Sequence, residues 1–130
     1  LIVLEGLVRF RILHELEPRS GYRRVQADFS EFELDRSPVE PAVDRLAILA
    51  ILDRFADRRD LEFDRDLLDA LAPGRLINTL SAALPFTAVE KQALLEARTT
   101  EDRAALLTTL RGIEIDSDSP ADRYSPPTIH

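Results

Sequence analysis

The sequence predicts an α+β fold in which an antiparallel β-hairpin precedes a helical bundle of about four to five helices. Apolar and polar residues alternate with a period of two over much of 7–29, which is typical of half-buried strands. From Pro41 onward, apolar residues recur at the spacing of amphipathic helices. The segment 84–96 then combines a helix end, a turn and a helix start.

The β part begins with a short aliphatic run over 1–4, which is typical of a buried strand, and Gly6 then favours a bulge or a bend. We interpret 7–16 and 22–29 as the strands of the hairpin, because turn-forming residues stand between them at 18–21. A hairpin alone is marginally stable in water, so we expect these strands to belong to a larger sheet. The sequence contains no methionine, so we expect the chain to be a fragment, a processed product or a trimmed form.

An acidic segment with two prolines over 31–41 is predicted to link the hairpin to the helices. Pro41 suits the first turn of a helix, and a long helix is predicted over 42–59. Apolar side chains cover so much of its circumference that this helix should lie at the centre of the bundle. The residues expected to lie near its main buried face are Val43, Leu46, Ala47, Ala50 and Phe55.

Four shorter helices are predicted to follow. Their expected starting signals, in chain order, are Asp64 as an N-cap, Arg75, the capping-box pair Thr87 and Glu90, and Thr99 or Thr100. Pro85 separates the second from the third, because proline lacks an N–H and its ring clashes with the preceding turn. The residues expected to line one face of the third are Val89, Ala93, Leu94 and Ala97.

These elements divide the chain into three parts. The β-rich part is predicted over 1–36 and the helical bundle over 37–115. Residues 116–130 contain three prolines and no periodic apolar pattern, so we predict a mobile tail there.

Charge and composition bound the function. The net charge of −7 argues against binding to nucleic acids or to anionic membranes. The longest apolar run, 46–52, is too short to span a membrane. The chain has no cysteine, which excludes disulfides and thiolate zinc sites and fits a reducing compartment, so we expect a cytoplasmic protein. The charge is uneven, because 1–24 hold five Arg and three Glu, a net charge of +2, whereas the remainder carries −9.

Residues that could perform catalysis are few. The sequence has no P-loop and no nucleophile elbow, and its only imidazoles are His14 and His130. His14 follows the apolar register of its strand, which indicates a half-buried or edge histidine. Ser81 and Lys91 raise the question of a Ser–Lys dyad, but an exposed lysine on a capped helix is favoured. We therefore predict no catalytic residue, no metal site and no cofactor.

Two groups of charged residues have alternative interpretations. Asp53 and Asp57 share a helix face, and an acidic face interleaved with arginines is favoured there over a metal site. Arg9, Arg11 and Arg24 form either a basic strip for an acidic or phosphorylated partner, or a set of cross-strand pairs. The expected cross-strand partners are Glu15, Gln26 and Asp28.

The order of several motifs resembles one known family. The residues G-L-V-R-F-R-I at 6–12 resemble the G-x-x-R-x-R-I strand of the Lon-type protease N-terminal, substrate-binding domain. The segments L-I-N-T-L-S-A-A-L-P-F at 76–86 and E-K-Q-A-L-L-E at 90–96 are similar to its helical half. Arg103, Leu106 and Leu110 match its final helix, so the resemblance spans about residues 1–113.

This resemblance implies a barrel-like β subdomain followed by a helical bundle. In the family, the domain helps full-length proteases to recognise unfolded or tagged polypeptides, and small stand-alone bacterial versions also exist. The chain departs from the full-length pattern because it carries neither the ATPase module nor the Ser–Lys protease module. The resemblance therefore implies neither ATP hydrolysis nor proteolysis here, and no catalytic residue carries over.

Our functional hypothesis is a non-catalytic polypeptide-binding module. The expected contact surfaces are exposed strand edges and the groove between the hairpin and the bundle. The candidate binding residues at the sheet–linker junction are Tyr22, Arg24, Phe29 and Phe32, and packing in the core or the sheet is the favoured alternative for each. The alternative is a structural module, either an oligomerisation domain or an adaptor, because unpaired strand edges favour self-association into a homo-oligomer.

Overall fold

The computed structural model describes residues 1–117, with side chains described as far as Gly112. This part of the chain contains two strands, one 3₁₀ helix and five α-helices. The chain divides into two compact units, of which the first is Leu1–Glu40 and the second begins at Pro41. An open two-stranded sheet followed by helices is an α+β fold, which confirms the predicted class. The tail predicted over 116–130 lies outside the described residues, except for its first two.

The first unit contains the hairpin, formed by strand β1 (Arg11–Arg19) and strand β2 (Tyr22–Asp28) in antiparallel pairing. Ser20 and Gly21 connect the strands and both have positive φ, 52° and 80°. Positive φ at both central residues is the pattern of a two-residue type I′ turn, which matches the twist of the flanking strands. The turn is thus shorter than the predicted 18–21, and β1 continues through Pro18.

The aliphatic run over 1–4 is not a buried strand, and that prediction was wrong. Residues 1–10 form no strand, and the side chains of Leu1 to Leu4 are exposed. An aliphatic run becomes a buried strand only where a neighbouring strand or layer covers it. Within residues 1–117, the sheet consists of β1 and β2 alone, so no strand pairs with this run.

Part of the predicted acidic linker is a 3₁₀ helix, Ser30–Arg36, that is held to the start of the chain. Its Asp35 accepts hydrogen bonds from the Arg9 backbone N–H at 3.0 Å, from Arg9 Nε at 2.9 Å and from Nη2 at 2.7 Å. The Arg9 guanidinium carbon lies 4.3 Å from the centre of the Phe32 ring, which is buried. Arg9 therefore fixes this helix through both a bidentate ion pair and a cation–π contact.

The partners of the predicted basic strip differ from those expected. Arg9 pairs with Asp35, and Arg11 Nε donates to Glu31 at 3.1 Å, while the strand register places Arg11 opposite Asp28. Glu15 accepts from Arg23. The prediction did not include Asp35 and Glu31 because it treated 31–41 as a linker, whereas these carboxylates lie beside the first arginines.

The helical unit consists of five α-helices in sequence. They are α1 (Arg45–Arg59), α2 (Arg65–Ala70), α3 (Pro73–Ala83), α4 (Ala88–Glu96) and α5 (Thr100–Ser117). Asp44 caps α1 by accepting from the Ala47 N–H at 3.0 Å, so this helix begins later than predicted. Asp64 caps α2, and Thr87 with Glu90 forms a complete capping box on α4, as predicted.

The core of this unit forms where α1, α3 and α5 meet, with contributions from α2, α4 and the Leu84–Phe86 connection. Its buried residues are Ile48, Leu49, Leu52, Phe55, Leu68, Leu76, Ile77, Leu80, Leu84, Phe86, Leu94, Ala104 and Leu107. The buried face of α1 differs from the predicted one, because Leu46, Ala47 and Ala50 are exposed. On α4, Val89 is 80% exposed and only Leu94 is buried.

Basic side chains cap the C-terminal ends of three helices from neighbouring elements. Arg45 of α1 donates to the Leu68 and Leu71 carbonyls at the end of α2. Lys91 of α4 donates to the Ala82 carbonyl of α3 at 3.1 Å. Arg103 of α5 donates to the Leu94 carbonyl of α4 at 2.8 Å. Cations at helix C-termini satisfy orphan carbonyls and complement the helix dipole.

We expect the capping box of α4 to make stability depend on pH. Glu90 accepts from the Thr87 N–H and hydroxyl at 2.7 and 2.8 Å, and these bonds lower the pKa of its carboxyl. A lowered pKa gives stabilisation that is complete above the ordinary carboxyl value of about 4.3 and is lost as pH falls through the folded-state value. Glu90→Gln should therefore destabilise the protein at pH 7 and progressively less toward pH 3. Urea unfolding across this pH range tests it, with Glu62→Gln in an exposed loop as the control; a difference that stays constant with pH would contradict it.

Candidate functional site

The hairpin presents one face whose members follow from the strand register. Leu16 is paired with Arg24, and Arg19 with Tyr22, across an irregularity in β1. Residues directly opposite each other in an antiparallel pair project from the same face of the sheet. These four side chains therefore lie on one face near the turn, which we call the tip face. Tyr22 is 75% exposed there, and Arg24 is also exposed.

The opposite face of the hairpin carries its own ion pair. Arg23, next to Tyr22 in β2, donates from Nε to Glu15 at 2.8 Å, and both side chains are mostly exposed. Exposed pairs of this kind contribute little to stability. The pair between Arg23 and Glu15 does, however, place the Glu15 carboxylate on the face of the sheet opposite the tip face.

The two phenylalanines predicted as binding residues lie beyond the other end of β2. Phe29 is 41% exposed, and its ring centre lies 5.7 Å from that of Phe10 at an interplanar angle of 51°. Phe32 is 3% exposed and lies beneath Arg9. The structure thus places Tyr22 and Arg24 on one face and leaves Phe29 exposed at a second position. Phe32 is buried and packs against Arg9.

Two exposed aliphatic residues in β1 are absent from the predicted set. Ile12 and Leu13 are both more than half exposed. The register shifts between Ile12 and His14, so Leu13 lies at an irregularity in the strand. The sequence signal was the break that Leu13 makes in the alternation of apolar and polar residues. Together with Phe10, these residues add an apolar surface to the first unit.

Local hydrogen bonds fix the end of β2. The Asp28 carboxylate accepts from the Ser30 N–H at 2.9 Å, and this bond lowers the pKa of Asp28. A carboxylate that accepts a backbone N–H two residues ahead stabilises a turn. The chain therefore leaves the strand into the 3₁₀ helix at a defined point, next to Phe29.

The candidate catalytic groups participate in local structure. The Ser81 hydroxyl donates to the Ile77 carbonyl at 2.8 Å, while Lys91 binds the Ala82 carbonyl, so the two side chains do not form a dyad. His14 is exposed and lies opposite Gln26. Asp53 pairs with Arg65, which also lies 3.9 Å from Asp69. This pairing agrees with the interpretation of those acids as a solvated charged surface.

Within residues 1–117, the structure contains neither a candidate metal site nor a candidate membrane-spanning helix. Among residues 1–117, no three histidine, cysteine, aspartate or glutamate side chains converge into a group able to hold a metal ion. No helix in the same segment has the length and apolar character needed to cross a bilayer.

Comparison with family models gives a match over most of the chain. A family model described as the ATP-dependent protease La (LON) substrate-binding domain matches residues 1–110. No curated protein and no solved structure matches the chain. The match covers the whole of the first compact unit and the second as far as Leu110 in α5.

Proposed function

The chain belongs to the LON substrate-binding domain family, and from this premise we propose that it is a non-catalytic module that binds unfolded or tagged polypeptides in the cytoplasm. The observation that carries the proposal is the exposed hairpin. Tyr22 and Arg24 stand together on its tip face, and Phe29 adds a second exposed aromatic ring. Aromatic and arginine side chains are the types that most often dominate binding energy at interfaces.

The mode that we propose is addition of an extended segment to a strand of the hairpin. Within residues 1–117, neither strand has a second neighbour, so each presents one row of backbone donors and acceptors at its outer edge. An added strand satisfies these groups by backbone hydrogen bonds, which suits polypeptides of varied sequence. Side chains beside the edge, such as Tyr22, then supply preference.

The engagement of the candidate catalytic groups supports a binding role over an enzymatic one. Ser81 and Lys91 each donate to a backbone carbonyl of α3, and neither is available in the arrangement of a nucleophile and its base. Pairing of two hairpins through the same edges is the second candidate, an oligomerisation or adaptor role. The two roles differ in whether the partner is unfolded polypeptide or a second folded copy.

We expect the protein to bind a labelled, permanently unfolded polypeptide, such as reduced and alkylated casein, with micromolar affinity. Tyr22→Ala should weaken this binding by about tenfold, because it removes a large exposed aromatic contact. Fluorescence anisotropy of the labelled polypeptide measures both values. Far-UV circular dichroism verifies that the variant remains folded.

Leu46→Ala is the matched control, since Leu46 is 80% exposed but belongs to α1 in the other unit. It should leave the affinity unchanged. Equal losses in the two variants would indicate nonspecific apolar adsorption. Absence of saturable binding by the unaltered protein, together with a concentration-dependent mass in light scattering, would favour the oligomerisation role.

A further inference from the structure

The tip face differs from the rest of the first unit in its charge. Arg19 and Arg24 are exposed, and neither guanidinium group has a hydrogen bond or ion pair with any residue in the described range 1–117. Other arginines nearby are engaged, since Arg9 and Arg11 bind acids of the 3₁₀ helix and Arg23 binds Glu15. Two guanidinium groups on this face are thus available to a ligand.

The register places these two cations around an exposed aromatic ring. Arg19 is the cross-strand partner of Tyr22, and Arg24 follows Tyr22 by two residues on the same face. The cross-strand pairs of this face nearest the turn, His14 with Gln26, Leu16 with Arg24 and Arg19 with Tyr22, contain no carboxylate, whereas Asp28 shares the face at the far end of β2, opposite Arg11. Glu17 lies in the irregularity between the last two pairs. Near the turn, this face therefore offers two cations and a phenol ring with no acid among its paired positions.

We propose that the tip face recognises extended polypeptide segments in which acidic residues flank an apolar one. This inference rests on the proposed polypeptide-binding function and names its preferred substrate class. A guanidinium forms two parallel hydrogen bonds with a carboxylate, so Arg19 and Arg24 can each hold one acidic side chain. An apolar side chain between them packs on the Tyr22 ring.

The distribution of charge over the chain makes this preference selective. Residues 1–24 carry a net charge of +2 and the remainder carries −9, so acidic segments are repelled by most of the chain. The attraction is confined to the hairpin, because exposed charges are screened beyond about 8–10 Å at physiological salt. The tip face therefore attracts an acidic segment at short range, in a chain whose net charge is otherwise unfavourable to it.

The test uses the full chain and two fluorescein-labelled unstructured peptides of equal length and aromatic content. One carries Asp and Glu beside a leucine, and the other carries Asn and Gln at the same positions. At low salt, we expect the acidic peptide to bind about tenfold more tightly, and this advantage should shrink at high salt. The double variant Arg19→Gln, Arg24→Gln should remove the advantage, so that the acidic and the amide peptides then bind with equal affinity.

The matched control is Arg54→Gln with Arg75→Gln, which changes the net charge equally at exposed arginines of α1 and α3. It should preserve the preference for the acidic peptide. If both peptides bind equally and the tip variant has no effect, the acidic preference is refuted while polypeptide binding stands. If neither peptide nor unfolded casein binds, the proposed function itself fails. Loss of self-association in the tip variant, without any change in peptide affinity, would identify a second copy as the occupant and overturn the inference.

Discussion

Replacement of Phe55 by alanine is expected to destabilise the helical unit by about 3–5 kcal/mol. Phe55 is 2% exposed and belongs to the core cluster. Removal of a fully buried ring loses its transfer free energy and leaves a cavity that the surrounding helices fill only in part. Because small domains are stable by about 5–15 kcal/mol, this single change should remove a large share of the total.

The cations around Phe55 add to this effect. The guanidinium carbon of Arg111 lies 4.7 Å from the Phe55 ring centre and 3.8 Å from that of Phe86, so Arg111 packs against both rings. Burial lowers the pKa of Arg111, and the nearby Glu90 carboxylate opposes that shift. Loss of the Phe55 ring removes one of these cation–π contacts from a buried cation.

Urea unfolding followed by circular dichroism at the helical band measures the change in the free energy of unfolding. Phe55→Leu should recover part of the loss, because it fills more of the cavity than alanine does. Leu46→Ala on the exposed face of the same helix serves as the control and should alter the free energy of unfolding by less than about 1 kcal/mol. A similar cost for Phe55→Ala and Leu46→Ala would contradict the assigned position of the core.

The second large effect is expected at Arg103, for which Arg103→Met should cost about 2–4 kcal/mol. Arg103 is 7% exposed and donates from Nε to the Leu94 carbonyl and from Nη1 to the Asn78 side chain. Methionine retains apolar volume but has no donor, so the Leu94 carbonyl and the Asn78 side chain lose the hydrogen bonds that Arg103 donates. Removal of one partner from a buried polar contact incurs the desolvation cost of the other.

Thermal and urea unfolding of Arg103→Met should be compared with those of Arg54→Met. Arg54 is an exposed arginine of α1, and its substitution should be nearly neutral. Arg103→Lys should fall between the original protein and the methionine variant, because an ammonium retains the charge but not the forked donor geometry. Equal stability of Arg103→Met and Arg54→Met would show that the Leu94 carbonyl does not depend on Arg103.

Features specified by residues close in the chain were predictable. The capping box of Thr87 and Glu90 and the cap at Asp64 lie within four residues of the groups that they satisfy. Thr99 also caps α5 by accepting from the Asp102 N–H, as one of the two predicted alternatives. Such signals depend on backbone groups of the same turn, so tertiary context has little influence on them.

Features that depend on distant partners were not predictable to the same degree. Apolar residues surround so much of α1 that periodicity alone could not select the buried face, and Leu46 is exposed as a result. Arg9 and Asp35 are separated by 26 positions, and nothing between them signals their pairing. The burial of Phe32 beneath Arg9 also depends on a distant residue, so it was not predictable from the local sequence. The shared face of Tyr22 and Arg24, by contrast, follows from strand alternation.

The contact between Arg45 and α2 makes the first two helices of the helical unit depend on each other. Helix α2 has six residues, which is far too short to persist by itself in water. Arg45 occupies the first position of α1, where its positive charge opposes the dipole of its own helix, yet it satisfies two carbonyls of the other. A small electrostatic cost in α1 thus stabilises α2, so a redesign that moves or shortens one of these two helices must also take account of the other.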